Sequence, residues 1–222
     1  MNVALILSGG SGKRFGSDIP KQYLDLCGKP VIEYVIDTAL NNKEIEEIVL
    51  VINENYLSYI KEINNKKIHI VKEGKERLDS VKNGLDYIKN NFNDCEKIII
   101  LQAVSPFVTN DIINTYFEKL NEYDVVTTAE KCPGELFNVE QYEKFDRNKY
   151  YFCQSPEAFK FNELYNNLDV NSKYSELIYH YPEEPKIYFY LDFHNNVKLT
   201  FQSDLEYAEF LMQKKNNQKD GD

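Results

Sequence analysis

The chain has 222 residues, 42% of them hydrophobic and 14% aromatic, the composition of a folded chain with a sizeable core and not of a disordered one. Its formal net charge of −10 argues against non-specific binding to nucleic acid or to an anionic membrane, both of which reward a basic face. No run of about 18 apolar residues occurs, so no membrane-spanning helix is expected, and the opening MNVALILSGG lacks the charged start of a signal peptide.

In chain order, Val3–Leu7, Ile48–Ile52, Ile68–Val71 and Ile98–Leu101 are short continuous apolar runs rich in β-branched residues. Such runs suit strands buried on both faces of a parallel sheet. Between them, Val31–Leu40 and Leu78–Phe92 place apolar residues three and four apart, the spacing of amphipathic helices. Asn110–Leu120 reads as a further helix with Asn110 as its cap, and Asp124–Ala129 as a further strand. The alternation predicts an α/β fold, a Rossmann-like, doubly wound and mostly parallel sheet. Lys131–Tyr151 breaks the rhythm with Pro133-Gly134, several charges and paired aromatics, and predicts a protruding hairpin arm at about 131–153. Pro156–Leu168 is expected to be helical, Ile187–Phe193 a strand and Ser203–Lys215 a closing helix. Without repeats or linkers, residues 1–215 are expected to form one domain, with 216–222 a flexible tail.

The four cysteines, Cys27, Cys95, Cys132 and Cys153, show no CxxC spacing, as in a reduced cytoplasmic chain. The three histidines are far apart and form no zinc pattern.

Chemistry concentrates after the first strand, in Ser8-Gly9-Gly10-Ser11-Gly12-Lys13-Arg14, followed by Pro20-Lys21-Gln22. Ligands of open α/β sheets bind beyond the carboxyl ends of the strands, where this loop falls. Glycines let backbone N–H groups approach one anion, and several cations together suit a polyphosphate. Neither GxxxxGK[ST] nor GxGxxG is present, which excludes a Walker-type loop and leaves a nicotinamide-binding Rossmann enzyme a poor third reading.

The run LILSGGSGKRFGSDIPKQYLDLCGKPVIEY resembles the nucleotide loop of the methylerythritol-phosphate and ribitol-phosphate cytidylyltransferases. By that resemblance Arg14 and Lys21 are catalytic and hold the triphosphate of CTP, with Ser8 to Lys13 cradling the nucleotide. Gly74-Lys75-Glu76-Arg77-Leu78-Asp79-Ser80-Val81 is similar to the family's GxxxRxxSV, implying that Gly74, Arg77 and Ser80 bind the nucleotide and that Ser80 helps read cytosine. Asp79 and Ser80 equally suit the start of a helix. Arg147, followed by Ser155-Pro156-Glu157-Ala158-Phe159, resembles the family's arm and TPQxF element, which puts Arg147 and Ser155 on the acceptor, Arg147 reaching into a neighbouring subunit. Asn196-Val197-Lys198-Leu199-Thr200 resembles NIKxT, whose lysine contacts phosphate, so Lys198 joins the catalytic set. The resemblance implies a homodimer, a divalent cation such as Mg²⁺, and CTP with a small phosphorylated acceptor as partners.

The chain also departs from the pattern. Where the family has HDAxRPF it has Leu101-Gln102-Ala103-Val104-Ser105-Pro106-Phe107, so an acid is replaced by Gln102 on the nucleotide side and an arginine by Ser105 on the acceptor side. These losses point to CMP transfer onto a different polyol or sugar phosphate, of the kind used for surface polysaccharide precursors. Methylerythritol phosphate, in isoprenoid synthesis, is the alternative acceptor, and a CTP-binding homologue without catalysis is a further reading that Gln102 favours.

Overall fold

The computed structural model describes residues 1–10, 15, 17, 19–140, 145–181 and 184–219, with only the backbone of 216–219. Seven strands form one sheet: β1 (Asn2–Leu7), β2 (Glu47–Ile52), β3 (Ile68–Lys72), β4 (Lys97–Gln102), β5 (Val125–Lys131), β6 (Tyr151–Lys160) and β7 (Ile187–Tyr190). They lie in the order β3-β2-β1-β4-β6-β5-β7. The first four are parallel, β6 runs antiparallel to both β4 and β5, and β7 pairs parallel with β5. The predicted doubly wound, mostly parallel sheet is therefore observed.

Helices α1 (Val31–Asn41), α2 (Arg77–Asn91), α3 (Asn110–Lys119), α4 (Phe161–Asn167) and α5 (Gln202–Lys219) complete the fold. The two-residue period of the strands sorts the core into two layers. Ala4, Ile6, Leu50 and Leu101 face α1 and α3 through Ile32, Ile36, Ile113 and Tyr116. The alternate set, Val3, Leu5, Val51 and Ile100, faces α2 and α4 through Val81, Leu85, Ile88, Phe161 and Leu164. Val3 to Ile6 are fully buried, which explains why β1 reads as an unbroken apolar run instead of an alternating one. Each of the Val, Leu and Ile side chains contributes about 1.5–3 kcal/mol on burial. Leu26, Val31, Leu199 and Ala208 form a smaller cluster that seats α5.

The first half of the chain matches the reading from sequence to within a residue or two. Later segments depart from it. The cap of α3 is Thr109, not Asn110: its hydroxyl accepts from the Ile112 N–H at 3.4 Å. Residues 156–160, expected to be helical, belong to β6, and only Phe161–Asn167 is helix. Ala158 and Phe159 are fully buried and pair on one side with Ile99 and Ile98, on the other with Val126 and Val125. Two flanking ladders outweigh a helical propensity that in isolation is worth only tenths of a kcal/mol per residue. β7 ends at Tyr190, short of Phe193. The backbone of α5 continues through Lys219, so part of the expected tail is helical, and 220–222 lie outside the described residues.

The β5–β6 ribbon extends past the sheet, pairing Thr128 to Lys131 with Gln154 to Tyr151. This is the hairpin base expected for an arm, and residues 141–144 in its connection lie outside the described residues. Between Thr127↔Glu157 and Thr128↔Gln154 the ladder is interrupted, leaving Ser155 and Pro156 without opposite numbers on β5. Such a bulge re-aims the side chains around it.

Candidate active site

The strand order reverses on either side of β1, since β2 and β3 lie to one side and β4 to the other. That switch point opens a crevice at the carboxyl ends of β1 and β4. A cleft of about 530 Å³ occupies it, walled by Ser8, Gly9 and Gly10 after β1, by Lys21, by Gly74 to Arg77 and Ser80 at the start of α2, by Gln102 to Val104 after β4, and by Lys198. A second cleft of about 420 Å³ adjoins it and includes Ser155, Glu176, Asn196 and Thr200. Gln102 and Lys198 belong to both, so the two open onto a shared wall.

Each wall has a local cause. Gly74 is close to obligatory: a Cβ there falls 2.2 Å from Asp79 Cβ and 2.8 Å from the Ser80 nitrogen. The Gly74 N–H donates to Ser80 Oγ at 3.0 Å, and the Glu76 N–H to Asp79 Oδ2 at 3.0 Å, closing a capping box. Ser80 thus belongs to the first turn of α2 and also lines the cleft, while Asp79 serves the cap. The 15-residue α2 then turns its positive end toward the cleft, where anions are stabilised.

The glycine loop is pinned from beneath. Gln22, buried, donates through Nε2 to the Ser8 carbonyl at 2.7 Å and to that of Gly10 at 3.2 Å. The Tyr23 hydroxyl shares a 2.9 Å hydrogen bond with Ser8 Oγ, and its ring stacks on Tyr56 with centroids 4.5 Å apart. Burial pushes the Tyr23 phenol up to about 12, so it stays protonated. Reading the sequence assigns Lys21 but misses these two anchors. Their signal is the run Lys21-Gln22-Tyr23, in which Lys21 and the buried Gln22 border the cleft and Tyr23 packs into the core.

Lys198 is held at the shared wall by its neighbours. Asn196 Nδ2 donates to the Ser155 carbonyl at 2.7 Å, the Leu199 N–H to the Val104 carbonyl at 2.9 Å, and Asp204 Oδ2 accepts from Thr200 and Phe201 at 2.6 and 2.8 Å. Ser155 Oγ and Asn196 Oδ1 are buried without a hydrogen-bond partner among the described residues, polar atoms that a ligand in the second cleft can satisfy.

Arg77 lines the first cleft and reaches toward the loop whose Glu176 lines the second. Its Nη1 donates to the Ser175 carbonyl, and its Nη2 stands 3.5 Å from Glu157 Oε2. Glu157 is only 5% exposed. Burial pushes its carboxyl up from 4.5 to about 7; Arg77 and, more weakly, Lys198 oppose the rise while Glu176 adds to it. Sequence reading missed Glu157 as well, although it stands where TPQxF has an amide.

The structure thus brings Ser8, Gly9, Gly10, Lys21, Gly74, Arg77, Ser80, Gln102 and Lys198 together around the first cleft, and Ser155 to the second. Arg14, Ser11, Gly12 and Lys13 lie outside the described residues. One acceptor-side expectation needs correction. Ser105 is 1% exposed and lines neither cleft, because its N–H turns back to the Gln102 carbonyl at 3.0 Å and carries the side chain inward. Arg147 lines a separate cavity on the arm with Lys131 and Tyr150, 3.9 Å from Glu135.

A doubly wound sheet with a glycine loop, a lysine and a helix N-terminus around a switch-point cleft defines an α/β nucleotidyltransferase. Residues 2–214 match the family model of IspD, 2-C-methyl-D-erythritol 4-phosphate cytidylyltransferase, and the chain belongs to this family of CTP-using cytidylyltransferases. It is 30% identical over 230 residues to the 2-C-methyl-D-erythritol 4-phosphate cytidylyltransferase of Clostridium botulinum (strain Loch Maree), spanning 96% of this chain and 98% of the relative. The enzyme of the same name from Thermosipho melanesiensis is 33% identical over 174 residues, 75% of this chain and 76% of the relative. Among solved structures, the 4-diphosphocytidyl-2C-methyl-D-erythritol synthase of Anaerococcus prevotii superposes with a TM-score of 0.79 at 25% identity, covering 96% of each chain.

Proposed function

We propose that the chain transfers CMP from CTP to 2-C-methyl-D-erythritol 4-phosphate, releasing pyrophosphate. The carrying observation is the pair of clefts that meet at Lys198 and Gln102, space for two anionic reactants side by side. The expectation of a surface-polysaccharide acceptor gives way to the alternative, since the relatives above are named for methylerythritol phosphate.

In this reading an acceptor phosphate oxygen attacks the α-phosphorus, forming the new O–P bond as the bond to the β-phosphate oxygen breaks. The nucleophile is already an anion, so no general base is required. The barrier is mutual repulsion and charge on the leaving pyrophosphate, which positioned cations relieve. Lys21, with Arg14, attends the triphosphate. Lys198, at the shared wall, draws the two phosphates together. The N–H groups of the glycine loop and the start of α2 hold the nucleotide, and Ser155 and Asn196 offer polar atoms to the acceptor.

A divalent cation such as Mg²⁺ supplies Lewis-acid charge on the triphosphate when bound. Among the described residues no three His, Cys, Asp or Glu side chains converge as a ligand set. That fits a magnesium ion held mainly by phosphate oxygens and water. The arm belongs to a homodimer in this reading, with Arg147 reaching the partner's acceptor.

The test is pyrophosphate release from CTP and Mg²⁺ with methylerythritol phosphate, ribitol phosphate and a panel of sugar phosphates. Fastest turnover of methylerythritol phosphate is expected. Preference for another acceptor would overturn the assignment, and CTP binding without turnover of any acceptor would favour a non-catalytic homologue.

A further inference from the structure

The mechanism above leaves one buried charge unused. Glu157 sits in the middle of β6, opposite Ile100 on β4 and Thr127 on β5, yet it is a carboxylate in an otherwise apolar and hydroxyl-lined stretch of sheet. A buried acid is costly unless paired, and its direct ionic partner among the described residues is Arg77, a residue that walls the nucleotide cleft. Arg77 has a second tie, to the carbonyl of Ser175. The loop just before that carbonyl is tied down by His180, which takes the Asp169 N–H at Nδ1 (3.2 Å) and donates from Nε2 to the Tyr174 carbonyl at 2.9 Å. Glu176, next in sequence, lines the second cleft. Arg77 therefore joins the base-side segment 74–80 to the acceptor-side segment 169–176, and Glu157 is the buried counter-charge on which that junction rests.

We propose that Glu157 is a positioning residue for cytidylyl transfer: its carboxylate holds Arg77 at the junction of the two clefts and keeps the guanidinium from collapsing onto the bound triphosphate. The inference rests on the transfer reaction proposed above. Touching no reactant, Glu157 acts through Arg77. The charged and titratable groups that face it are Arg77 from α2, Glu176 from the loop before residue 177, Lys198 from the segment before α5, Tyr116 from α3 and Cys153 from its own strand. With its carboxyl raised to about 7, it is ionised at pH 8 and protonated at pH 6.

The consequence is a split that a purely structural role does not produce. Without the carboxylate, Arg77 carries an uncompensated charge beside the triphosphate, so CTP binds more tightly in the ground state while the two clefts lose their shared alignment. Glu157→Gln is expected at pH 8 to bind CTP about fivefold more tightly, the order expected of one partly screened charge, and to turn over about tenfold more slowly. At pH 6 the wild-type residue is itself neutral, and both ratios are expected to close toward one. Glu157→Asp, which keeps a charge, is expected to follow the wild type in the direction of its pH dependence.

CTP affinity is measured by calorimetry without acceptor, and turnover by pyrophosphate release, at pH 6 and 8 for the three proteins. Ratios between variant and wild type that do not change with pH overturn the proposal, as does weaker or unchanged CTP binding by Glu157→Gln at pH 8. Should the wild type turn over none of the acceptors tried, the proposed reaction fails on its own account. The pH-dependent affinity ratio still decides whether Glu157 governs Arg77.

Discussion

Replacing Glu157 by Gln removes the titration of the most deeply buried acid in the site while nearly preserving its shape. The carboxyl moves from 4.5 to about 7 on folding, so between those values the folded chain holds more proton than the unfolded one. Its relative stabilisation is therefore complete below pH 4.5, declines across that interval and is lost as the pH passes about 7. Carrying a carboxyl across that interval corresponds to about 3 kcal/mol. At 5% exposure solvent screening does little to reduce the figure. Gln cannot titrate, so the unfolding free energy of wild type minus variant should fall by that order from pH 4.5 to 7.5 and then level off. Urea unfolding at half-unit pH steps measures it, because every carboxylate common to both proteins cancels in the difference. Parallel stability curves for the two proteins would refute the assignment of a raised, buried acid. A difference growing in the opposite direction would mean that Arg77 lowers the carboxyl more than burial raises it.

Other substitutions test separate parts of the argument. Lys21→Ala should lower turnover by about 10² or more, the loss typical when one electrostatic donor to a transition state is removed, with near-normal CTP-independent stability in thermal melts. Gly84→Ala should destabilise the fold by about 1–3 kcal/mol, because the new methyl falls 2.4 Å from Leu5 Cδ1 and 3.2 Å from Val51 Cγ2 where α2 rests on the sheet; calorimetric melting detects it. Phe159→Ala should cost about 3–5 kcal/mol, since the ring is fully buried in β6 and packs 5.8 Å from Tyr181, and a urea midpoint unchanged from wild type would contradict the placement of that strand.

How much of this was legible in the sequence depends on where the controlling interactions lie. The βα rhythm of residues 2–102 is written locally, because a parallel strand buried on both faces must be a continuous apolar run and a helix covering it must repeat every three or four residues. The glycine loop, Lys21 and the Gly74–Ser80 segment were legible for the same reason: each lies next to the element that positions it. Pro156–Lys160 was not. Its residues suit a helix by propensity, and only the strands on either side, whose partner residues lie 30 to 63 positions away in the chain, pull it into the sheet. Ser105 misled in another way, since occupying an arginine's place in a motif says nothing about whether the side chain faces the cleft.

The sequence by itself determined the fold class, the crevice and the triphosphate chemistry of the chain, because hydrophobic period and glycine-with-cation clustering act over a few residues. Only the tertiary structure decided that Gln22 and Tyr23 anchor the loop, that Lys198 stands where two clefts meet, and that Glu157 confronts Arg77. Those groups are brought together by sheet order and by a bulge, and the burial that makes a carboxylate's charge consequential does not exist until both neighbouring strands are in place.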